Sequence, residues 1–255
     1  MIDTHTHLYA EEFDEDRHEM IQRAMEKGVQ KFFLPAIDSE YHEKMIALES
    51  EFPGKIFAMI GLHPTYVKPE TWKQELEIVE NYLNERNFCA IGEIGIDLYW
   101  DKSTLDIQVK AFEKQIDWAI EKDLPIVIHT RESFDEVFEV LERKRHPKLR
   151  GIFHCFSGNL EQANQAVDLG FSLGIGGVVT FKNGKIDQFL HEIPLEKIVL
   201  ETDSPYLAPV PFRGKRNESS YLELVAGKLV DIYGKDHAEI SAITSENAER
   251  IFQQL

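Results

Sequence analysis

Cysteine is scarce in this chain: two residues in 255, Cys89 and Cys155. Both fall in runs that read as strands, so they are expected to be buried reduced thiols, and a disulfide-stapled secreted scaffold is excluded. Long apolar runs are also missing. Nothing approaches the roughly 18 residues that a membrane helix needs, and the opening Met-Ile-Asp-Thr-His has neither a basic nor an apolar leader segment. A cytoplasmic protein is the resulting expectation. Basic residues are few, 28 against 45 acidic ones, for a net charge of −17. That balance repels polyphosphate and argues against a broad DNA-coating surface, while leaving room for a small basic mouth. Linkers, low-complexity segments and composition breaks are absent too, which favours one domain over residues 1–255.

What is present is alternation. Strand-like apolar runs at 1–9, 31–37, 55–60, 88–93, 125–129, 150–154, 170–175 and 197–201 are separated by amphipathic stretches, among them 13–27, 72–86, 134–144 and 160–169. Gly28 reads as the residue closing the helix over 13–27. Asp38 or Ser39 is placed to cap the helix after the second strand. The clearest helix carries Leu105, Val109, Phe112, Ile116, Ala119 and Ile120 on one stripe. Ser103 with Asp106 suggests a capping box there. A weak helix is expected over 185–193, and two more near 220–233 and 236–253. Eight strands alternating with helices imply parallel pairing through crossovers. With a repeat of about 32 residues, the α/β pattern suits a single (β/α)8 TIM barrel. A doubly wound open sheet is the runner-up, but it binds ligands at one switch point, whereas the polar candidates here are spread over many strand ends.

Those candidates begin at His5 and His7. Residues i and i+2 of a strand share a face, so the pair offers half a metal site. With ten histidines, about 0.4 such pairs arise by chance, so the motif is weak alone. It gains weight because Glu93, His129, His154 and Asp203 each follow a strand. In a barrel these ends open on the C-terminal face, where active sites lie. Four histidines and two carboxylates exceed one tetrahedral ion and suit two divalent cations sharing a carboxylate bridge. The expected division is His5, His7, Glu93 and Asp203 on one ion, with Glu93, His129 and His154 on the other. Mixed ligands admit Zn²⁺, Mn²⁺, Fe²⁺ or Mg²⁺. Asp203 is placed to take the nucleophile's proton as general base. Cys155 adjoins His154 and is expected to point the opposite way.

Taken in order, Ile2-Asp-Thr-His5-Thr-His7, Gly61-Leu-His63-Pro64, Ile91-Gly-Glu93-Ile-Gly-Ile-Asp97, Ile128-His129-Thr-Arg131-Glu132, His154-Cys-Phe-Ser157-Gly158 and Glu201-Thr-Asp203-Ser-Pro205 form a specific series. With Thr180-Phe181-Lys182 and Arg213-Gly-Lys215-Arg216-Asn217-Glu218, the chain resembles the TatD family of metal-dependent deoxyribonucleases, in the amidohydrolase superfamily, nearly end to end. The resemblance implies hydrolysis of phosphodiester bonds, commonly as a 3′-directed exonuclease, with DNA as substrate. It implies the same six metal ligands. It also favours phosphodiester over amide chemistry, because Glu93 stands in for the barrel lysine of sibling enzymes. A metal-dependent amide or ester hydrolase of a small substrate is the alternative. Three residues depart from the family pattern: Tyr9 for Asp or Asn, Phe212 for a frequent His, and Ser219 for Pro.

Substrate contacts are read from His63, Arg131, Arg213 and Arg216. His63 either bonds a phosphate oxygen or stabilises its loop. Arg131 either reaches the mouth or pairs with a carboxylate. Arg213, Lys215 and Arg216 form a local basic cluster, a phosphate clamp or a solvated face. Tyr99 and Trp100 either stack a base or pack their loop.

Overall fold

The computed structural model describes residues 1–253. Eight parallel strands run through them: β1 (Ile2–Asp3), β2 (Lys31–Leu34), β3 (Ile56–Ala58), β4 (Ile91–Asp97), β5 (Ile126–Arg131), β6 (Gly151–Phe153), β7 (Ser172–Ile175) and β8 (Ile198–Leu200). They pair in sequence order as β1-β2-β3 and β4-β5-β6-β7-β8. A parallel bridge between Ile60 and Ile91 joins the two groups. The seam between β8 and β1 is closed by backbone bonds from Thr4 N–H to Leu200 O, Asp203 N–H to His5 O and His7 N–H to Ser204 O. The result is a (β/α)8 TIM barrel rather than an open sheet.

Alternation along each strand fills the barrel. Ile2, Phe33, Met59, Val127, Ile152 and Val199 form one interior cluster, and Phe252 plugs it from the last helix, its ring 3.9 Å from that of Phe33. The larger cluster lies between the strands and the surrounding helices. Those helices are α1 (Arg17–Glu26), α2 (Ser39–Glu51), α3 (Trp72–Glu85), α4 (Leu105–Lys122), α5 (Phe134–Arg143), α6 (Leu160–Asp168), α7 (Leu222–Tyr233) and α8 (His237–Phe252). Asp38 caps α2 through Glu40 N–H, and Asp236 with Glu239 forms a capping box on α8.

Several boundaries move. The helix expected over 13–27 splits into a 3-10 turn at Glu11–Phe13 and α1, with Gly28 at φ +87 closing it. The one expected over 185–193 is two 3-10 turns, Ile186–Gln188 and Leu190–Glu192. Ser103 does not cap α4; its N–H and hydroxyl bond Asp101 in the 3-10 turn ahead of the helix. The fourth strand runs past Glu93 to Asp97, because β4 and β5 stay paired through a register shift between Gly92 and Ile94. Gly95 permits this closeness: a Cβ there would stand 2.0 Å from His129 O. Among the described residues, no helix is long and apolar enough to cross a membrane.

Candidate metal centre and its cavity

The interior side chains of β5, β6 and β8 continue upward by steps of two. Val127 leads to His129, Ile152 to His154 and Val199 to Glu201, so the polar layer sits directly on the apolar one. The ladder bonds His154 N–H to Ile128 O and Glu201 N–H to Ile175 O carry this alternation past the strand ends. Glu93 arrives from β4. His5, His7 and Asp203 come from the two sides of the seam.

The six expected ligands, His5, His7, Glu93, His129, His154 and Asp203, converge. Glu93 Oε2 is 3.1 Å from His5 Nε2. Its other oxygen is 2.7 Å from His129 Nδ1, 3.3 Å from His63 Nε2 and 3.6 Å from His154 Nε2. Asp203 Oδ1 lies 3.4 Å from His7 Nε2, 3.8 Å from His5 Nε2 and 4.0 Å from His154 Nε2. The two oxygens of Glu93 thus face two groups of imidazoles. The grouping differs in detail from the sequence expectation. His154 stacks on His5 with ring centroids 3.5 Å apart, so it stands between the groups rather than within the second. His63 fills that place, 3.2 Å from His129 Nδ1.

Each of three histidines is oriented from behind. Tyr9 donates its hydroxyl to Pro35 O at 2.6 Å, so it accepts from His7 Nδ1 at 2.9 Å and leaves the His7 Nε2 lone pair facing Asp203. Tyr9, the departure from the family pattern, is therefore the orienter of His7. Asp97 Oδ2 is 2.9 Å from His129 Nε2. Glu201 Oε1 is 3.0 Å from His154 Nδ1 and accepts the Cys155 N–H at 2.6 Å. Glu201 is fully buried, and a Cβ on Gly174 would meet its Oε2 at 2.2 Å, so only glycine leaves it room. The sequence reading missed Glu201 as a site residue. Its signal was the same two-residue step, counted from Val199. Cys155 does not point away as expected: past the end of β6 it turns to φ +43, and its sulfur faces the His154–Glu201 pair. Both cysteines are free thiols.

The electrostatics ask for positive charge. Burial works against an imidazolium at His154, yet Glu201, Glu93 and Asp203 outweigh it and push its pKa up to about 10. His129 is likewise raised, with Asp97 and Glu93 overcoming burial. Burial would raise Glu93, but His154, His63 and His5 hold it well below the carboxylate range. Without another cation, protons on the imidazoles must neutralise these carboxylates. Even so, both nitrogens of His5 and Oε2 of Glu201 are buried without a hydrogen bond, and His154 Nδ1, although 3.0 Å from Glu201 Oε1, is not aligned for one. Unpartnered buried polar atoms are costly in a packed interior. A divalent cation would satisfy both demands, so the donor set fits a metal centre.

The layer opens into a cavity of about 570 Å³, lined by His7, His63, Glu93, Asp97, His129, His154 and Asp203, with Tyr66, Trp100, Arg131, Tyr206 and Leu207 toward the rim. Arg131 has no acidic partner among the described residues; its guanidinium lies 3.7 Å above the Tyr99 ring. Arg216 does not join the cavity. Asp16 grips it through both nitrogens at 2.6 and 2.8 Å, and it also bonds Glu12 O. That corrects its expected place in a phosphate clamp: Asp16, just ahead of α1, supplies a closer anion. Arg213 rests on Phe181 at 4.1 Å, and Phe212 stacks on Tyr221.

A model of the family described as TatD related DNase matches residues 2–253. The uncharacterized metal-dependent hydrolase YabD of Bacillus subtilis is 39% identical over 99% of both chains. The crystal structure of YjjV, a TatD homologue from Escherichia coli, superposes with a TM-score of 0.93 at 30% identity, covering 100% of this chain and 98% of that one. A TatD-family hydrolase from Entamoeba histolytica shares the fold at a TM-score of 0.84 and 21% identity. With a matching model over nearly its whole length and a metal-ready cavity at the barrel mouth, this chain belongs to the TatD family of metal-dependent hydrolases.

Proposed function

We propose that the enzyme hydrolyses phosphodiester bonds in DNA, working from unpaired 3′ ends with two divalent ions. The observation that carries this reading is Arg131. It is a cation without an acidic partner on the rim of a cavity otherwise rich in carboxylates and imidazoles. A free guanidinium there calls for an anionic substrate and matches a phosphate in fork geometry.

His5, His7, Glu93 and Asp203 would hold one ion; Glu93 and His129 would hold the other together with His154, which reaches it from between the two groups, and with His63 beside it. Bound ions would lower the pKa of a water and polarise the phosphoryl group. The residues of the chain then divide the remaining work. Glu93 spans both groups through its separate oxygens. Tyr9, Asp97 and Glu201 fix which nitrogen of each histidine faces inward. Asp203, whose pKa burial raises but the nearby imidazoles pull below the usual range, takes the proton of the attacking water as general base. Arg131 holds a non-bridging phosphate oxygen from the rim.

The test is metal-stripped protein with an end-labelled single-stranded oligonucleotide, adding Mg²⁺, Mn²⁺ or Zn²⁺ in turn, beside Asp203→Asn. A metal-dependent ladder shortening from the 3′ end, lost in Asp203→Asn, is the expected outcome. Intact oligonucleotide in every lane, with metal bound, would overturn phosphodiester hydrolysis and turn the search to small amides and esters.

A further inference from the structure

Trp100 is 70% exposed, the most exposed of the large hydrophobic side chains, and Tyr99 beside it is 49% exposed. The loop does not bury them, so packing does not account for them. Their position is nevertheless fixed. Asp97, which bonds His129 with one oxygen, uses the other to accept the N–H groups of Tyr99 and Trp100 at 3.0 and 3.3 Å. One carboxylate thus ties the loop to the metal centre. The Tyr99 and Trp100 rings meet edge to face at 4.9 Å, and Arg131 lies over Tyr99 at 3.7 Å and 5.6 Å from Trp100.

Trp100 also borders two spaces. It lines the 570 Å³ cavity and also a second cavity of about 430 Å³, whose charged lining is Lys68, Asp97 and Asp101. Past His7 and Tyr206 a third cavity of about 360 Å³ opens, and its charged lining is Glu11 and Glu12. Both side cavities are lined by two carboxylates, so Arg131 beside Trp100 is the cation that a phosphate meets at this part of the rim.

We infer that Trp100 is the seat on which the base flanking the scissile phosphate stacks, with Arg131 beside it on that phosphate. This deepens the nuclease reading and rests on it. An aromatic face accepts any base but needs it unpaired, because a base held in a duplex has both faces covered. The structure thereby gives a reason for action on single strands without sequence preference.

The experiment compares wild type, Trp100→Ala and Trp100→Phe on two oligonucleotides of the same length. One is normal, and the other carries abasic residues in its last four 3′ positions. Stacking is worth ~1–3 kcal/mol per base, or roughly 5- to 150-fold. Wild type is expected to prefer the normal strand by ~10-fold or more in kcat/KM, mostly through KM. Trp100→Ala should lose that preference, and Trp100→Phe should keep most of it. A wild type indifferent to the bases, or a Trp100→Ala enzyme that still discriminates, would overturn the seat while leaving the nuclease reading intact. If wild type cuts neither strand, the nuclease reading falls. The same strands titrated against the metal-loaded protein then decide the seat alone. Tryptophan fluorescence quenched by the normal strand and unchanged by the abasic one, with the response lost in Trp100→Ala, would support it; equal responses would remove it.

Discussion

At the scale of single residues, the site depends on which nitrogen of each imidazole carries a proton. Tyr9 settles this for His7 because its own hydroxyl hydrogen is committed to Pro35 O. Tyr9→Phe removes the acceptor for Nδ1–H and frees the ring to turn. The expected outcome is ~10–100-fold weaker metal binding, read by titrating stripped protein with Mn²⁺, with a loss of about 1–3 kcal/mol of stability from the unpartnered Pro35 O and His7 Nδ1. Unchanged affinity would deny Tyr9 its orienting role. The same scale shows what the sequence made legible. His5, His7, Glu93, His129, His154 and Asp203 were legible as candidates because each sits at or just past the end of an apolar run in the sequence. Glu201 and Asp97 were harder, since a carboxylate that only holds a histidine has the same local pattern as a solvated one. Arg216 misled because a run of basic residues says nothing about Asp16, 200 positions away, which claims it.

At the scale of elements, two features lend themselves to measurement. Gly95 lets β4 lie against His129 O, and a methyl group at 2.0 Å leaves no space. Gly95→Ala should destabilise the protein by ~3 kcal/mol through overpacking and strain. Gly28→Ala, with a positive φ but no atom within 4 Å, should cost only about 1–2 kcal/mol. Urea midpoints measure both, and equal losses would mean that backbone conformation alone matters at residue 95. The second feature is His42 in α2, buried and lowered from its usual value to about 4 by burial. The unfolded chain takes up this proton near pH 6.5 and the folded one only near pH 4. Stability is therefore whole above pH 6.5 and falls between 6.5 and 4, by up to about 3 kcal/mol. His42→Leu should flatten that part of the pH–stability curve; an unaltered slope would place the titration elsewhere. The long helices were visible in their apolar stripes. The region over 185–193 was not, because a short weak stripe does not tell an α-helix from successive 3-10 turns, and Ser103 does not reveal that Asp101 takes its bonds.

At the scale of the whole molecule, charge sets the terms on which a polyanion is met. With a net charge of −17 and Arg131 at the cavity rim without an acidic partner among the described residues, the proposed nuclease would release few counterions from a nucleic acid on binding. The salt dependence of oligonucleotide affinity should be shallow. Its log–log slope should be about −1 for one or two phosphates held, measured as KM between 50 and 200 mM KCl. A slope of −4 or steeper would require a basic surface beyond the cavity. The barrel itself was legible from eight alternations, because parallel strands with crossover helices leave few ways to close.

The seam between β8 and β1 has a further consequence. Asp203 bonds His5 and Ser204 bonds His7 through their backbones, so the two halves of the metal-binding layer lie about two hundred residues apart in the chain yet meet at one joint. While the ribosome is still adding residues, a nascent chain already holding His5 and His7 has no Asp203 to set beside them. Assembly of this layer thus waits for the last strand to dock, and on the proposed role of Asp203 an unfinished chain would have no means of cutting anything.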